Sequence, residues 1–194
     1  MLKRLLLLCW LYWYNPVLYA DLADISKQLV KAPITQGHFQ QEKQLKILHK
    51  PLISEGWFVY QQQQGVIWQT VSPVTSLLLI NDTHLVNDSG QQNLPPVFGK
   101  VFQAVLAADV AVLKESFELA EESQKQSWQF ILTPKDDVVK KIISHITLAG
   151  DTELRQLTIQ ETGGNNSRIV FSNISHPAQL TSEQQANFEK LSHQ

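Results

Sequence analysis

Along most of this chain apolar and polar residues alternate with a period of two, and a helical period shows in only three stretches. The first is Asp21 to Ala32, where Leu22, Ile25, Leu29 and Val30 fall near helical spacing, Asp21 and Asp24 occupy the first turn, and Pro33 is the stop. The period then changes, and Phe39, Gln41, Lys43, Leu45 and Ile47 share one face of an extended segment. Pro51 separates it from a second strand at Leu52 to Tyr60. The polar run Gln61 to Gly65 ends in glycine and predicts a hairpin turn. Val66 to Val71 returns as a third strand, Ser76 to Ile80 is a fourth, and His84 to Asn87 is a short fifth behind the turn-forming Asn81-Asp82.

The alternation breaks at Asp88 to Pro96, which is polar and turn-rich. Val97 to Ala108 follows with Val101, Phe102, Val105 and Leu106 at helical spacing, a helix interpolated between strands where a lid would be inserted. Strands resume at Ser116 to Ala120, Ser127 to Leu132, Ile142 to Leu148, Leu154 to Glu161 and Arg168 to Ile174, and Ser182 to Leu191 reads as a short terminal helix. About ten evenly spaced strands without a βαβ rhythm predict a mainly β fold: one curved antiparallel sheet, an incomplete barrel, with a helical lid. No internal repeat or linker divides residues 21–194, so one domain is expected.

The large residues on the strand faces recur regularly: Val66 with Trp68, Trp128 with Phe130 and Leu132, Phe117 with Leu119, Leu157 with Ile159, Ile169 with Phe171. Each such residue reads either as packed core or as the wall of an apolar cavity. A single curved sheet with two short helices leaves room for the second.

The amino terminus belongs to a different account. Lys3 and Arg4 precede an unbroken apolar run of nine residues, Leu5 to Trp13, and Asn15-Pro16 then leads to Ala20 as a small residue at a cleavage point. That order reads as a secretory signal peptide over residues 1–20. The run falls short of the roughly 20 residues that span a bilayer. Removal of the leader would leave 174 residues with no cysteine and a net charge of −4, a composition suited to an oxidising compartment.

Charge and candidate chemistry narrow the function by exclusion. A net charge of −2 without a basic block speaks against nucleic-acid partners. The six histidines (38, 49, 84, 145, 176 and 193) stand without carboxylates at ligand spacing, so no metal or other cofactor is expected. There is no G-x-S-x-G elbow and no glycine-rich phosphate loop. Asp136-Asp137 and Glu121-Glu122 are adjacent pairs, which on a strand point to opposite faces and at a helix start act as caps. No residue is singled out as catalytic, and no enzyme is expected.

The blocks Gly37-His-Phe39-Gln-Gln-Glu-Lys43, Leu52-Ile-Ser-Glu-Gly56-Trp-Phe-Val-Tyr60 and Gly65-Val-Ile-Trp68 with Ser72-Pro73 resemble the LolA family of periplasmic outer-membrane lipoprotein carriers. Phe130-Ile-Leu-Thr133-Pro134-Lys135 looks like a second family block, and Ile142 to Ile174 is similar to a third. The resemblance implies an incomplete barrel of about eleven strands whose mouth is covered by helices. It also implies an exported protein of a Gram-negative periplasm that shields acyl chains of a lipoprotein or other lipid. Its partners would be an inner-membrane transporter as donor and an outer-membrane acceptor, and a monomer is expected. It would place Leu29, Phe39, Trp68, Leu78 and Leu157 in the cavity, with Phe102 and Leu106 from the lid. Ile47, Phe58, Ile80, Phe117, Phe130 and Phe171 join the candidate cavity residues, and Phe98, Val101 and Val105 the lid; within Leu77–Ile80 both faces are apolar, so the sequence does not separate inward from outward there. Two departures point to a LolA-related branch whose members often accompany lipid or polyene biosynthesis. Gln62 stands where the family carries an arginine that ties the lid shut, and only a short tail follows Ile174. The rival expectation is a non-catalytic interaction module of a membrane complex whose concave face binds a protein.

Overall fold

The computed structural model describes residues 29–82, 84–87, 90–93, 96–107, 109–124 and 127–192. The signal-peptide reading lies outside the described residues, as does 21–28 of the first expected helix; residues 29–32 are not helical. The strands are β1 (Ile34–Gln44), β2 (Leu52–Gln61), β3 (Gly65–Ser72), β4 (Ser76–Ile80), β5 (His84–Asn87), β6 (Gly90–Asn93), β7 (Phe117–Gln124), β8 (Ser127–Pro134), β9 (Ile143–Gly150), β10 (Leu154–Glu161) and β11 (Asn166–Ser175). Helices α1 (Pro96–Leu106) and α2 (Val110–Ser116) lie between β6 and β7, the single turn α3 (Asp137–Lys140) between β8 and β9, and α4 (Ser182–Ser192) after the last strand.

All strand pairs are antiparallel. The order is β6-β5-β4-β3-β2-β1-β11-β10-β9-β8-β7, an open eleven-stranded sheet in which the first strand pairs with the last. The chain is mainly β, an incomplete antiparallel barrel. Its topology fixes where the lid must run. Strands β6 and β7 are the two edges of the sheet, and α1 and α2 are the chain that joins them. The connection crosses the open side of the curve and covers it.

Local chemistry explains the joints. Asp109 caps α2, its carboxylate accepting the Ala111 and Val112 amides at 3.1 and 3.2 Å. The glutamine turn closes β2 onto β3 with Gly65 at φ +128°, a conformation that suits glycine. At Gly56 a Cβ would sit 1.9 Å from the Gln69 carbonyl oxygen, so only glycine permits the close approach where the β2–β3 register shifts.

Two apolar layers result. The concave face packs against α1 and α2 in one large cluster, and the convex face carries a smaller cluster of Ile34, Val59, Ile67 and Leu79 under Phe188 and Leu191 of α4. Consecutive residues feed opposite layers: Val59 and Tyr60, Ile67 and Trp68, Leu79 and Ile80.

Beyond residues 29–32, the sequence expectation differs at β6, α2, β7 and β1. Strand β6 falls in the segment read as a polar turn, because Gly90-Gln-Gln-Asn93 pairs with β5 through its backbone and needs no apolar side chain. Helix α2 was not expected, its Val-Ala-Val-Leu run lacking a helical stripe of distinctive length. Strand β7 begins at Phe117, where α2 ends, and runs four residues beyond Ala120. Strand β1 ends at Gln44, so the alternation read through to Ile47 passes the end of the strand.

Candidate functional site

Trp68 is the hub of the concave layer. Its ring stacks on Phe39 at 3.8 Å between centroids and lies 6.1 Å from Phe58. Phe171 meets it edge-on at 6.4 Å and Phe58 at 5.4 Å. From the lid side Phe102 of α1 approaches Trp68 edge-on at 5.5 Å. Four strands and the lid therefore converge on one indole, in the offset and edge geometries that aromatic quadrupoles favour.

Leu29, Phe39, Phe58, Trp68, Ile80, Phe117, Phe130, Leu157 and Phe171 are all buried in this one cluster, and Leu78 packs against it half-buried. From the lid, Val105 and Leu106 are buried in the cluster while Val101 and Phe102 pack on it half-buried. Phe98 lies on α1, but its side chain falls outside the described residues. Ile47 is a correction. It is 87% exposed, in the turn closed by the Leu48 amide donating to the Leu45 carbonyl at 2.9 Å. The period of two that assigned it to the interior no longer holds once the strand has ended at Gln44.

The packing leaves an apolar gap under the lid. Between α1 and the sheet a cleft of about 100 Å³ is lined by Val101, Phe102, Val105, Phe117, Val139, Ile143, Ile146, Leu157 and Ile159. Every one of these side chains is apolar. The sequence reading did not single out Val139, Ile143 or Ile146. Ile146 and Leu148 alternate along β9 and carried a detectable signal, whereas Val139 sits in a single helical turn with no period to read.

Polar contacts around the lid are few and exposed. Lys100 of α1 and Glu115 of α2 pair at 3.0 Å, and that hydrogen bond holds the Lys100 ammonium above its usual range. Gln103 of α1 donates to Asp82 beyond β4 at 2.7 Å. Gln62 lies just after β2, where its amide donates to the Pro33 carbonyl at 2.8 Å. It lines a hollow of about 290 Å³ with Lys31, Tyr60, Ala107 and Asp109, so this position faces the α1–α2 connection. Burial, and then the carboxylates of Asp109 and Asp82, push the Tyr60 phenol up. At the same end of the sheet, where Thr35 pairs with Tyr60, His176 Nε2 and Glu153 Oε1 approach to 2.7 Å, with Thr35 Oγ1 3.2 Å from His176 Nδ1, joining β1 to the segments beyond β9 and β11.

An open antiparallel half-barrel with an apolar concave face, spanned by a helical lid, defines the class. The chain belongs to the LolA family: the family model described as outer membrane lipoprotein carrier protein LolA matches residues 31–184. Among solved structures, a DUF1329 family protein from Desulfovibrio piger is 12% identical with a TM-score of 0.50, over 88% of this chain and 97% of that one. A LolA superfamily protein from Nitrosomonas europaea is 12% identical with a TM-score of 0.49, over 84% of this chain and 96% of that one. At such identity the likeness concerns fold. No curated protein matches the chain. Among the described residues no helix is long and apolar enough to cross a membrane.

Proposed function

We propose that this protein is a non-catalytic periplasmic carrier. It shields the acyl chains of a lipoprotein or other lipid between the lid and the concave face and ferries them from the inner toward the outer membrane. The observation that carries the reading is the cleft beneath α1, whose lining is apolar throughout and which meets the aromatic cluster at Phe102. A cavity of about 150 Å³ takes a benzene ring. A cleft of about 100 Å³ is therefore too small for an acyl chain until the lid swings out. The lid's polar ties suit that motion, because solvent screens exposed pairs such as Lys100–Glu115 and leaves them weak.

Cargo then replaces lid side chains against the sheet. Each buried methylene contributes about 0.8 kcal/mol, so a single long chain is held firmly without any polar group. Directionality requires a donor transporter in the inner membrane and an acceptor at the outer membrane, and Gln62 in the place of the family arginine fits a lid with one tie fewer.

Native mass spectrometry of protein purified from an exporting Gram-negative host, followed by organic extraction, tests the proposal. A bound lipid or acylated peptide is expected, together with uptake of a fluorescent fatty acid that Trp68→Glu abolishes. Bare protein that takes up no fatty acid would sink the carrier reading and favour a module that binds a protein partner on its concave face.

A further inference from the structure

We infer that the end of the half-barrel holding the apolar cleft docks directly on an anionic phospholipid membrane. Its evidence is the rim itself, although its purpose rests on the carrier reading. The strand register brings five connections to this end, among them the β5–β6 turn beyond the Asn87–Gly90 pair. The β1–β2 hairpin leaves from the Lys43–Leu52 pair and the β3–β4 hairpin from the Thr70–Ser76 pair. The β10–β11 hairpin lies beside the Gln44–Asn166 pair, and α3 leads into the Ile143–Glu161 pair.

Exposed apolar side chains concentrate on these connections. Of the ten exposed large hydrophobic residues among the described residues, eight fall within segments 42–53, 71–76 and 135–142. Ile47, Val74 and Val138 are 87%, 72% and 66% exposed. The rim is also continuous with the cleft. Val138 and Ile142 point to solvent, while their neighbours Val139 and Ile143 line the cleft.

Charge selects the occupant. Segments 42–53, 71–76, 87–90, 135–142 and 161–166 hold six lysines and five acids, a net of +1 on a chain whose net charge is −2. Three of the acids are engaged within the rim: Asp136 caps α3, Asp137 pairs with Lys140 at 3.0 Å, and Glu161 lies 3.8 Å from Lys43. Lys46, Lys50 and Lys141 are exposed and form no ion pair with another described residue. Apolar tips on separate turns, interleaved with lysines, match a headgroup layer that takes wedges between phosphates. A second copy of the same rim would bring like charges together. Docked this way, the cleft mouth faces the bilayer, and an acyl chain passes from lipid to protein with little exposure to water.

Sedimentation with sucrose-loaded vesicles tests the inference. The protein is expected to bind vesicles of mixed phosphatidylglycerol and phosphatidylcholine, in a salt-sensitive manner, about tenfold or more tightly than vesicles of phosphatidylcholine alone. Ile47→Asp combined with Val74→Asp is expected to abolish that binding. Neutralising Lys46, Lys50 and Lys141 to Gln should weaken it by roughly fivefold per lysine. Equal binding to both vesicles, no binding to either, or insensitivity to these substitutions would overturn the inference. So would a dimer that Ile47→Asp dissociates, or binding confined to native membranes and lost after protease treatment, which would assign the rim to a protein. Fatty-acid uptake in solution by the unsubstituted protein separates the two readings. Uptake without vesicle binding overturns the docking surface alone, and vesicle binding without uptake overturns the carrier reading alone.

Discussion

Tyr60 sits in the concave layer with its phenol pushed up by burial and by the carboxylates of Asp109 and Asp82. A raised folded-state value means that the folded chain holds this proton longer than the unfolded chain, whose tyrosine titrates at about 10. The residue's contribution is therefore constant below that pH and lost as pH climbs through the folded value. Urea midpoints measured from neutral to strongly alkaline pH should fall on the alkaline side. Tyr60→Phe is expected to flatten that fall and leave neutral stability close to the parent's; an unchanged alkaline limb would remove Tyr60 as its cause. At this scale the sequence was most legible where alternation lay inside a real strand. Alternation paired Trp68, Phe130 and Phe171 with their same-face neighbours and the family resemblance put Phe39 and Trp68 inside; these four and Phe58 are all buried in the concave layer. Ile47 could not be placed, because nothing in its own chemistry marks that the strand stops three residues earlier. Val139 is its converse, a cleft residue inside a turn that offers no period.

Among elements, the lid is the least tied. Its polar ties among the described residues are few, among them Gln103 with Asp82, Lys135 donating to the Lys114 and Ser116 carbonyls at the end of α2, and Lys100 with Glu115 between the two helices. The interpolated helix α1 was visible in the sequence because Val101, Phe102, Val105 and Leu106 repeat at helical spacing. That α2 also belongs to the lid was not, since its seven residues span barely two turns and its start is set by Asp109 acting as a cap. Gln62 is the position where the lid can be altered without touching the cavity wall. It shares a hollow with Asp109, and an arginine there would carry its guanidinium toward a carboxylate at the start of α2. An exposed pair of this kind adds up to about 1 kcal/mol, or roughly fivefold in a closing equilibrium. Gln62→Arg is therefore expected to slow fatty-acid uptake by up to about fivefold in stopped-flow fluorescence at low salt. The effect should fade as salt rises. Uptake as fast as the parent's at every salt concentration would show that the position does not restrain the lid.

Across the whole molecule the sheet separates two tasks by parity. Odd and even neighbours such as Val59 and Tyr60, or Ile67 and Trp68, enter opposite layers, so in β2, β3 and β4 stretches read as unbroken apolar runs and alternation there cannot say which side is which. The terminal helix resolves the ambiguity in space. It packs on β3 and β4, and its Phe188 and Leu191 close the convex layer over Ile67 and Leu79. In the sequence α4 offers only those two strong apolar positions, too few to reveal that it covers a second core. The separation has a consequence that distinguishes a carrier built on one face from a protein with a single continuous core. Phe188 is 2% exposed, and truncating such a buried ring costs about 3–5 kcal/mol. Phe188→Ala should lower the urea midpoint strongly while leaving fatty-acid affinity, measured per folded molecule well below that midpoint, within about twofold of the parent. Trp68→Ala should lower both, because its ring packs against Phe39 and against Phe102 of the lid. If Phe188→Ala weakens binding as much as Trp68→Ala does, the convex layer supports the cavity through the sheet, and the two faces are not independent.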